Sequence, residues 1–275
     1  ERPVSFDING CQETAVVVHS LAKWKRLALK RYQFQVGEGL YTDMNAIRRD
    51  EALDALHSAY VDQWDWEKII SREDRNLDFL KQTVRSIVGA LAETQSFLHT
   101  VFPQLSVLPK LTREVTFITS QELEDLYPQL TPKEREHAFT QEHPVTFLIG
   151  IGGKLRSGQP HDGRAPDYDD WSLNGDLLVW DSVNGQSLEL SSMGIRVDPE
   201  ALDRQLALAG CDDRRGLPFH KMLLNGELPL TMGGGIGQSR VSMALLGKAH
   251  IGEVQSSLWD EPNLKAAEEA GVILL

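Results

Sequence analysis

The dipeptide Asn184-Gly185 constrains the fold more than any other feature, because it stands between two apolar-rich runs, residues 174–181 and 186–193. Both residues tolerate the left-handed backbone of a tight hairpin, so the strands on either side must run antiparallel. A second pair, Asn9-Gly10, separates residues 3–8 from 13–19 and predicts another hairpin. Residues 39–48 and 58–66 read as strands joined by a polar loop around Arg49-Asp50-Glu51. Residues 115–118 form a short strand, and Val145 to Ile151 is a strongly apolar one that ends in Gly152-Gly153. Helical spacing replaces alternation elsewhere. Leu21, Trp24, Leu27 and Ala28 share one face after a capping Ser20, and Leu77, Leu80, Val84, Ile87, Val88, Leu91 and Leu98 do so between Asp74 and Thr100. Further helices are predicted after a capping Ser120, from Pro132, and over about 199–209, 218–225 and 236–246. Strands adjoin by hairpins and helices come in blocks. That order predicts an α+β fold, a mainly antiparallel sheet flanked by helices, rather than a doubly wound one. With no repeat or linker, residues 1–275 read as a single domain.

A formal charge of −12 argues against wrapping a nucleic-acid backbone, which calls for a basic face. The local basic cluster Lys23, Lys25, Arg26, Lys30 and Arg31 suits a small anionic ligand better. No apolar run is long enough to span a bilayer, and two cysteines, Cys11 and Cys211, make neither a disulfide framework nor a metal motif. The expected compartment is the cytoplasm. Glu1 falls where a strand has already begun, so upstream residues are expected to be missing from this chain.

Candidate chemistry lies in four places. The run Gly233-Gly234-Gly235-Ile236-Gly237-Gln238-Ser239-Arg240 fits neither a Walker loop nor the dinucleotide fingerprint. It is either a tight turn before a helix or a place where Gly235 and Gly237 admit a ligand whose phosphates Arg240 reaches. The loop Arg164-Ala165-Pro166-Asp167-Tyr168-Asp169-Asp170-Trp171 is either a solvated acidic loop, balanced by Arg164 and Lys154, or a grip for a substrate ammonium. Asp176 and Glu189 lie on the hairpin strands, where alternation alone does not place them on one face. In Tyr60-Val61-Asp62-Gln63-Trp64-Asp65-Trp66, alternation turns Gln63 and Asp65 to one side, a polar floor unusual for a core strand. Two arginines, Arg48 and Arg240, with two carboxylates, suit a triphosphate held through Mg²⁺. The eight histidines show no metal-ligand spacing.

At these blocks, and at His19 to Arg26, Glu38 to Thr42, Gly150 to Leu155, Leu173 to Asp176 and Glu189 to Val197, the sequence resembles the ammonia-dependent, AMP-forming asparagine synthetases. These are compact relatives of the class II aminoacyl-tRNA synthetase catalytic domain, and the resemblance runs over nearly the whole chain. It implies an enzyme that makes asparagine from L-aspartate, ammonia and ATP through β-aspartyl-AMP. It implies Arg48 at the α-phosphate, Arg240 at the terminal phosphates, and Asp176 and Glu189 as carriers of Mg²⁺. It also implies an aspartate pocket lined by Ser20, Lys25, Asp65, Asp169, Ser191, Ser192 and Arg196, with Gln63 between carboxylate and phosphate. Arg164, Gly235 and Gly237 would touch the nucleotide, and the protein would be a homodimer. The family carries an upstream segment that supplies an aspartate to the site, and a longer connection where Ser172 meets Leu173. Two other readings stand beside this one, an aspartyl-tRNA-synthetase-like adenylating enzyme and a non-catalytic paralogue that binds amino acid or nucleotide.

Overall fold

The computed structural model describes residues 2–275. Strands β1 (Ser5–Phe6) and β2 (Ala15–Val16) pair antiparallel. Asn9-Gly10 turns the chain inside the long connection 7–14 rather than closing a two-residue hairpin, because pairing stops at Phe6 and Ala15. Helix α1 (Ala22–Arg31) follows, then β3 (Gly39–Ile47), β4 (Tyr60–Ile69) and the long helix α2 (Leu77–Val101). Asn76 caps α2 by accepting the Phe79 N–H, and Leu80, Val84, Val88 and Leu91 are its buried stripe.

Strand β5 (Thr116–Thr119) leads directly into α3 (Ser120–Leu126), and α4 (Pro132–Glu142) comes after it. The cap of α3 is Thr119, not Ser120. Thr119 and Glu122 exchange hydrogen bonds in a capping box, while the Ser120 hydroxyl is donated to the Gly150 carbonyl. Strand β6 (Val145–Ile149) precedes the hairpin of β7 (Asp169–Asp181) and β8 (Gln186–Arg196). Gly185 at φ 65° turns this hairpin, and the Asp181 carboxylate accepts from the Val183 and Asn184 backbone N–H groups. Helices α5 (Pro199–Leu208) and α6 (Pro218–Leu224), strand β9 (Thr231–Gly237), and helices α7 (Gln238–Leu246) and α8 (Glu261–Ala270) complete the chain.

The chain divides into two compact units. The larger comprises residues 22–41 and 66–235. The seven-stranded sheet has the order β3–β4–β9–β8–β7–β6–β5, in which β6–β7 and β7–β8 pair antiparallel and β5–β6 pair parallel. One apolar cluster, Ile118, Leu123, Phe139, Leu148, Ile151 and Leu178, joins the sheet to α3 and α4. Another, around Val197, Leu202, Leu206 and Leu223, seats α5 and α6. The smaller unit comprises residues 1–21, 42–65 and 236–275. It holds the β1–β2 ribbon, residues 42–47 of β3, 60–65 of β4 and 236–237 of β9, and helices α7 and α8.

The glycine run, left open between a tight turn and an opening for a ligand, lies in β9, within the sheet. Its glycines serve close packing. A Cβ on Gly233 would fall 2.6 Å from Arg196 Nη2 and from the Trp66 carbonyl and would overlap Glu67 Oε2; one on Gly234 would strike Met193 and the Ser192 carbonyl. Gly233→Ala should therefore destabilise the protein by about 3 kcal/mol, the upper range for overpacking, read as a lowered urea midpoint at constant m. A wild-type midpoint would show that this packing yields freely.

Candidate active site

Register on β7 and β8 builds the site. Asp176 stands opposite Ser192 and Leu177 opposite Ser191, yet Leu178 stands opposite Glu189. Leu190 is therefore an extra residue on β8, a β-bulge. Without it, Glu189 and Ser192, three residues apart, would face opposite sides of the sheet. The bulge turns Glu189 to the face of Asp176 and Ser192, the question that alternation left open.

The three side chains interact there. Asp176 is buried, and its carboxyl is pushed up to about 7, first by burial and then by the charge of Glu189. The Arg164 guanidinium, ion-paired to Asp176, and a hydrogen bond from Ser192 oppose that rise only in part. Arg164 thus pairs directly with the hairpin acid Asp176, while of the acids in its own loop its charge acts on Asp169.

Further along the same face, beyond Gly194, Arg196 stands opposite Asp169 and is fully enclosed. Its Nη1 donates to Asp169 Oδ1 at 2.7 Å, and Nε and Nη2 donate to Glu67 Oε2 at 3.0 and 2.9 Å. Glu67 Oε1 accepts the Thr231 hydroxyl at 2.7 Å. Burial opposes the arginine's charge, but Glu67 and Asp169 outweigh it and raise its pKa. Asp169 is nonetheless raised by its burial. Sequence reasoning missed Glu67. The alternation of Gln63 and Asp65 on β4, carried one step further, lands on it.

The other acids of the 164–171 loop are committed to the protein's own cations. Asp167 Oδ2 takes Lys23 and His220, each at 2.8 Å, and Arg214 at 3.3 Å. Asp170 takes Arg75 at 2.5 Å and the Ser172 hydroxyl. The loop is neither a solvated acidic stretch nor an open triad of acids; Asp169 alone of the three sits in the β7–β8 row. Lys25 is fully buried on α1, and the Arg26 guanidinium donates to the Val197 and Pro229 carbonyls, so this cluster is not a basic patch. Ser191 donates its hydroxyl to the Gly235 carbonyl and ties β8 to β9.

In the smaller unit, Arg48 leaves the end of β3 with its backbone N–H on the Ala59 carbonyl and its exposed guanidinium 3.3 Å from Glu51. Gln63 is half-buried, Asp65 is buried and Ser20 is exposed. Arg240 rises from the first turn of α7, packed over Gly237. Asp62, on the opposite face of β4 from Asp65, fixes that turn by accepting the Ser239 N–H and hydroxyl. Gln255 adds a third bond to Asp62.

Among the described residues no group of three or more histidine, cysteine, aspartate or glutamate side chains could form a metal cage. Mg²⁺ does not need one, since it is usually bound through one or two carboxylates plus substrate phosphates. Asp176 and Glu189 fit that demand. They are two carboxylates held together that could supply hard oxygen ligands, with the charges of Arg164 and Lys133 acting on them.

Known proteins resemble this chain in fold and in sequence. The asparaginyl-tRNA synthetase of Entamoeba histolytica, solved in complex with asparaginyl-adenylate, superposes with a TM-score of 0.65 at 15% identity, covering 90% of this chain and 57% of that one. The enzyme of Pyrococcus horikoshii, complexed with asparaginyl-adenylate, gives 0.64 at 13%, covering 91% and 57%. The fold is that of the class II aminoacyl-tRNA synthetase catalytic domain. The family model described as aspartate-ammonia ligase matches residues 1–271. The aspartate–ammonia ligase of Clostridium perfringens ATCC 13124 is 61% identical over 276 residues, covering 100% of this chain and 82% of the relative. That of Fusobacterium nucleatum is 58% identical, covering 100% and 83%. The chain belongs to the aspartate–ammonia ligase family, ATP-dependent ligases of asparagine biosynthesis.

Proposed function

We propose that the β7–β8 face carries aspartate at one end and the magnesium–phosphate moiety of ATP at the other. One observation supports this most. The Asp169–Arg196–Glu67 group and the Asp176–Glu189–Arg164 group share one face, with Ser192 and Arg196 roughly 13 Å apart along β8 at 3.3 Å per residue. That span suits an amino acid joined end-on to a nucleotide's phosphates.

At the amino-acid end, Arg196 spends three of its five N–H donors on Glu67 and Asp169. Two remain for a substrate carboxylate. In the larger unit Asp169 would take the substrate ammonium and Lys25 and Ser192 would line the pocket, whereas Ser191 lies on the opposite face of β8 with its hydroxyl on Gly235. In the smaller unit Asp65 and Ser20 would keep the aspartate-binding roles that the family resemblance implies. Gln63 would lie between the reacting carboxylate and the phosphate. At the other end, Asp176 and Glu189 would hold Mg²⁺, which when bound neutralises pyrophosphate charge. Arg164, Gly235 and Gly237 would touch the nucleotide, Arg48 the α-phosphate and Arg240 the terminal phosphates.

In the first half-reaction, a β-carboxylate oxygen of aspartate attacks the α-phosphorus and pyrophosphate leaves. In the second, ammonia attacks the β-acyl carbon and AMP leaves with the bonding electron pair, one proton passing from nitrogen to solvent. The protein contributes position and fixed positive charge where negative charge accumulates. No residue need become covalently attached. The active form would be a homodimer in the cytoplasm. No helix among the described residues is long and apolar enough to cross a membrane.

The test is asparagine and AMP formation from aspartate, ATP and ammonia, with glutamine in place of ammonia as control. AMP is expected only with ammonia, and its absence would overturn the reading. Arg48→Ala should slow aspartate-dependent pyrophosphate exchange by about 10²–10³-fold, the scale for one preorganised donor. Exchange at the wild-type rate would remove Arg48 from the α-phosphate.

A further inference from the structure

The arm that carries Arg164 is built with unusual restraint for a surface loop. Asp162, Gly163 and Ala165 face outward, and Arg164 is drawn inward between them. Both ends of this short span are anchored. On the C-terminal side the Pro166 carbonyl accepts Gln205 Nε2 at 2.9 Å, and Asp167 is held by Lys23 and His220. On the N-terminal side the His161 side chain is wholly buried, with Nε2 2.9 Å from Glu136 Oε1 on α4. Glu136 is buried too, and its other oxygen takes Lys133 Nζ at 2.8 Å.

A buried carboxylate costs free energy unless its partners are well placed. Neither the apolar core nor the aspartate-binding row uses Glu136. Its two partners point to one destination. His161 leads three residues on to Arg164, and α4, which carries Lys133, is tied to β8, which carries Glu189, by the His137–Ser187 hydrogen bond at 2.6 Å. Shielding from water opposes the Lys133 charge, but Glu136, and beyond it Glu189 and Asp162, raise its pKa. The same Glu189 and Asp162 act on Arg164.

We propose that Glu136 and His161 are positioning residues for the nucleotide. They lock the arm so that Arg164 stands at the Asp176–Glu189 pair, and Glu136 holds Lys133 toward Glu189. Two cations thereby flank the carboxylates before the phosphates of ATP arrive. An arm left loose would be ordered only on binding, and that ordering is lost from affinity. The inference rests on the reading of Arg164 as a nucleotide-binding residue.

The experiment measures binding of the Mg²⁺ complex of adenosine 5′-(β,γ-imido)triphosphate by calorimetry, beside KM for ATP and for aspartate. Arg164→Ala and His161→Phe should each weaken the analogue by about 10- to 100-fold, the usual scale for losing an orienting partner. For His161→Phe, KM for aspartate should stay within about twofold, because neither His161 nor Glu136 bonds to Asp169, Arg196 or Glu67. His161→Gln, which keeps an N–H for Glu136, should recover most of the affinity. If Arg164→Ala binds the analogue normally, the assignment of Arg164 fails and the inference with it. If Arg164→Ala weakens binding but folded His161→Phe does not, or if glutamine fails to rescue, the inference alone fails. Should His161→Phe not fold, Lys133→Ala, truncated at an exposed side chain, decides the matter. Several-fold weaker binding supports the proposal, and wild-type affinity overturns it.

Discussion

Asp176→Asn should lower kcat by about 10³-fold and, in the same protein freed of metal by chelator, raise Tm at pH 8 by about 5 °C. The kinetic loss follows from removing one of two proposed metal carboxylates, a contribution of several kcal/mol at about 1.4 kcal/mol per decade. The stability gain follows from linkage. The Asp176 carboxyl is raised from 3.8 to about 7 by burial and by Glu189, more than Arg164 and Ser192 offset. Between those values the folded state holds a proton that the unfolded state has lost. Stability therefore falls as pH rises through that window, and the full penalty, on the order of a few kcal/mol, is present above about pH 7. Asparagine keeps the shape and an oxygen for Arg164 while abolishing the charge. A few kcal/mol corresponds to about 2–4 °C each in a chain of this size. Below about pH 4 the two proteins should melt together, since both side chains are then neutral. A variant that melts earlier than wild type at pH 8, or turns over within tenfold of it, would refute the account.

Arg196→Ala should cost about 3–5 kcal/mol of folding free energy and abolish saturation by aspartate at millimolar concentration. The deletion strands Glu67 and Asp169 without their shared cation in an enclosed site, and breaking one partner of a buried ion group carries that penalty. Against a total stability of about 5–15 kcal/mol, this brings the protein near unfolding at growth temperature. Arg196→Lys separates the two effects. It keeps the charge but loses the planar fork that serves Glu67 with two N–H groups and Asp169 with a third. KM for aspartate should rise at least about tenfold with a smaller loss of stability. Denaturant titration of Arg196→Lys, Glu67→Gln and the double variant should give a coupling above about 1 kcal/mol. Strict additivity would mean that Glu67 does not hold the arginine.

Much of this molecule was legible from residues near one another in the chain. Asn184-Gly185 dictated an antiparallel hairpin because its backbone preference acts within two residues, and apolar spacing marked α2 and β6 because helix and strand periods repeat within a turn or a pleat. Gln63 and Asp65 announced a polar strand face for the same reason. The local signal misled at Ser120, which looked like a cap one residue late, and it left the 233–237 glycines open between a turn and a ligand approach when they line a strand. Both depend on what lies opposite, the Gly150 carbonyl in one case and Arg196, Glu67 and Met193 in the other.

Which residues this protein could use was thus written in the chain, but which of them act together was decided only by its tertiary structure. The bulge at Leu190 turned Glu189 toward Asp176, Arg164 reached from its acidic loop to pair with the hairpin acid, and Glu67 met Arg196 across 129 residues of sequence. Periodicity sets which way a side chain points along its own strand. Partner choice among buried charges is set by register and by the cost of leaving any of them alone, and both exist only once the strands have paired.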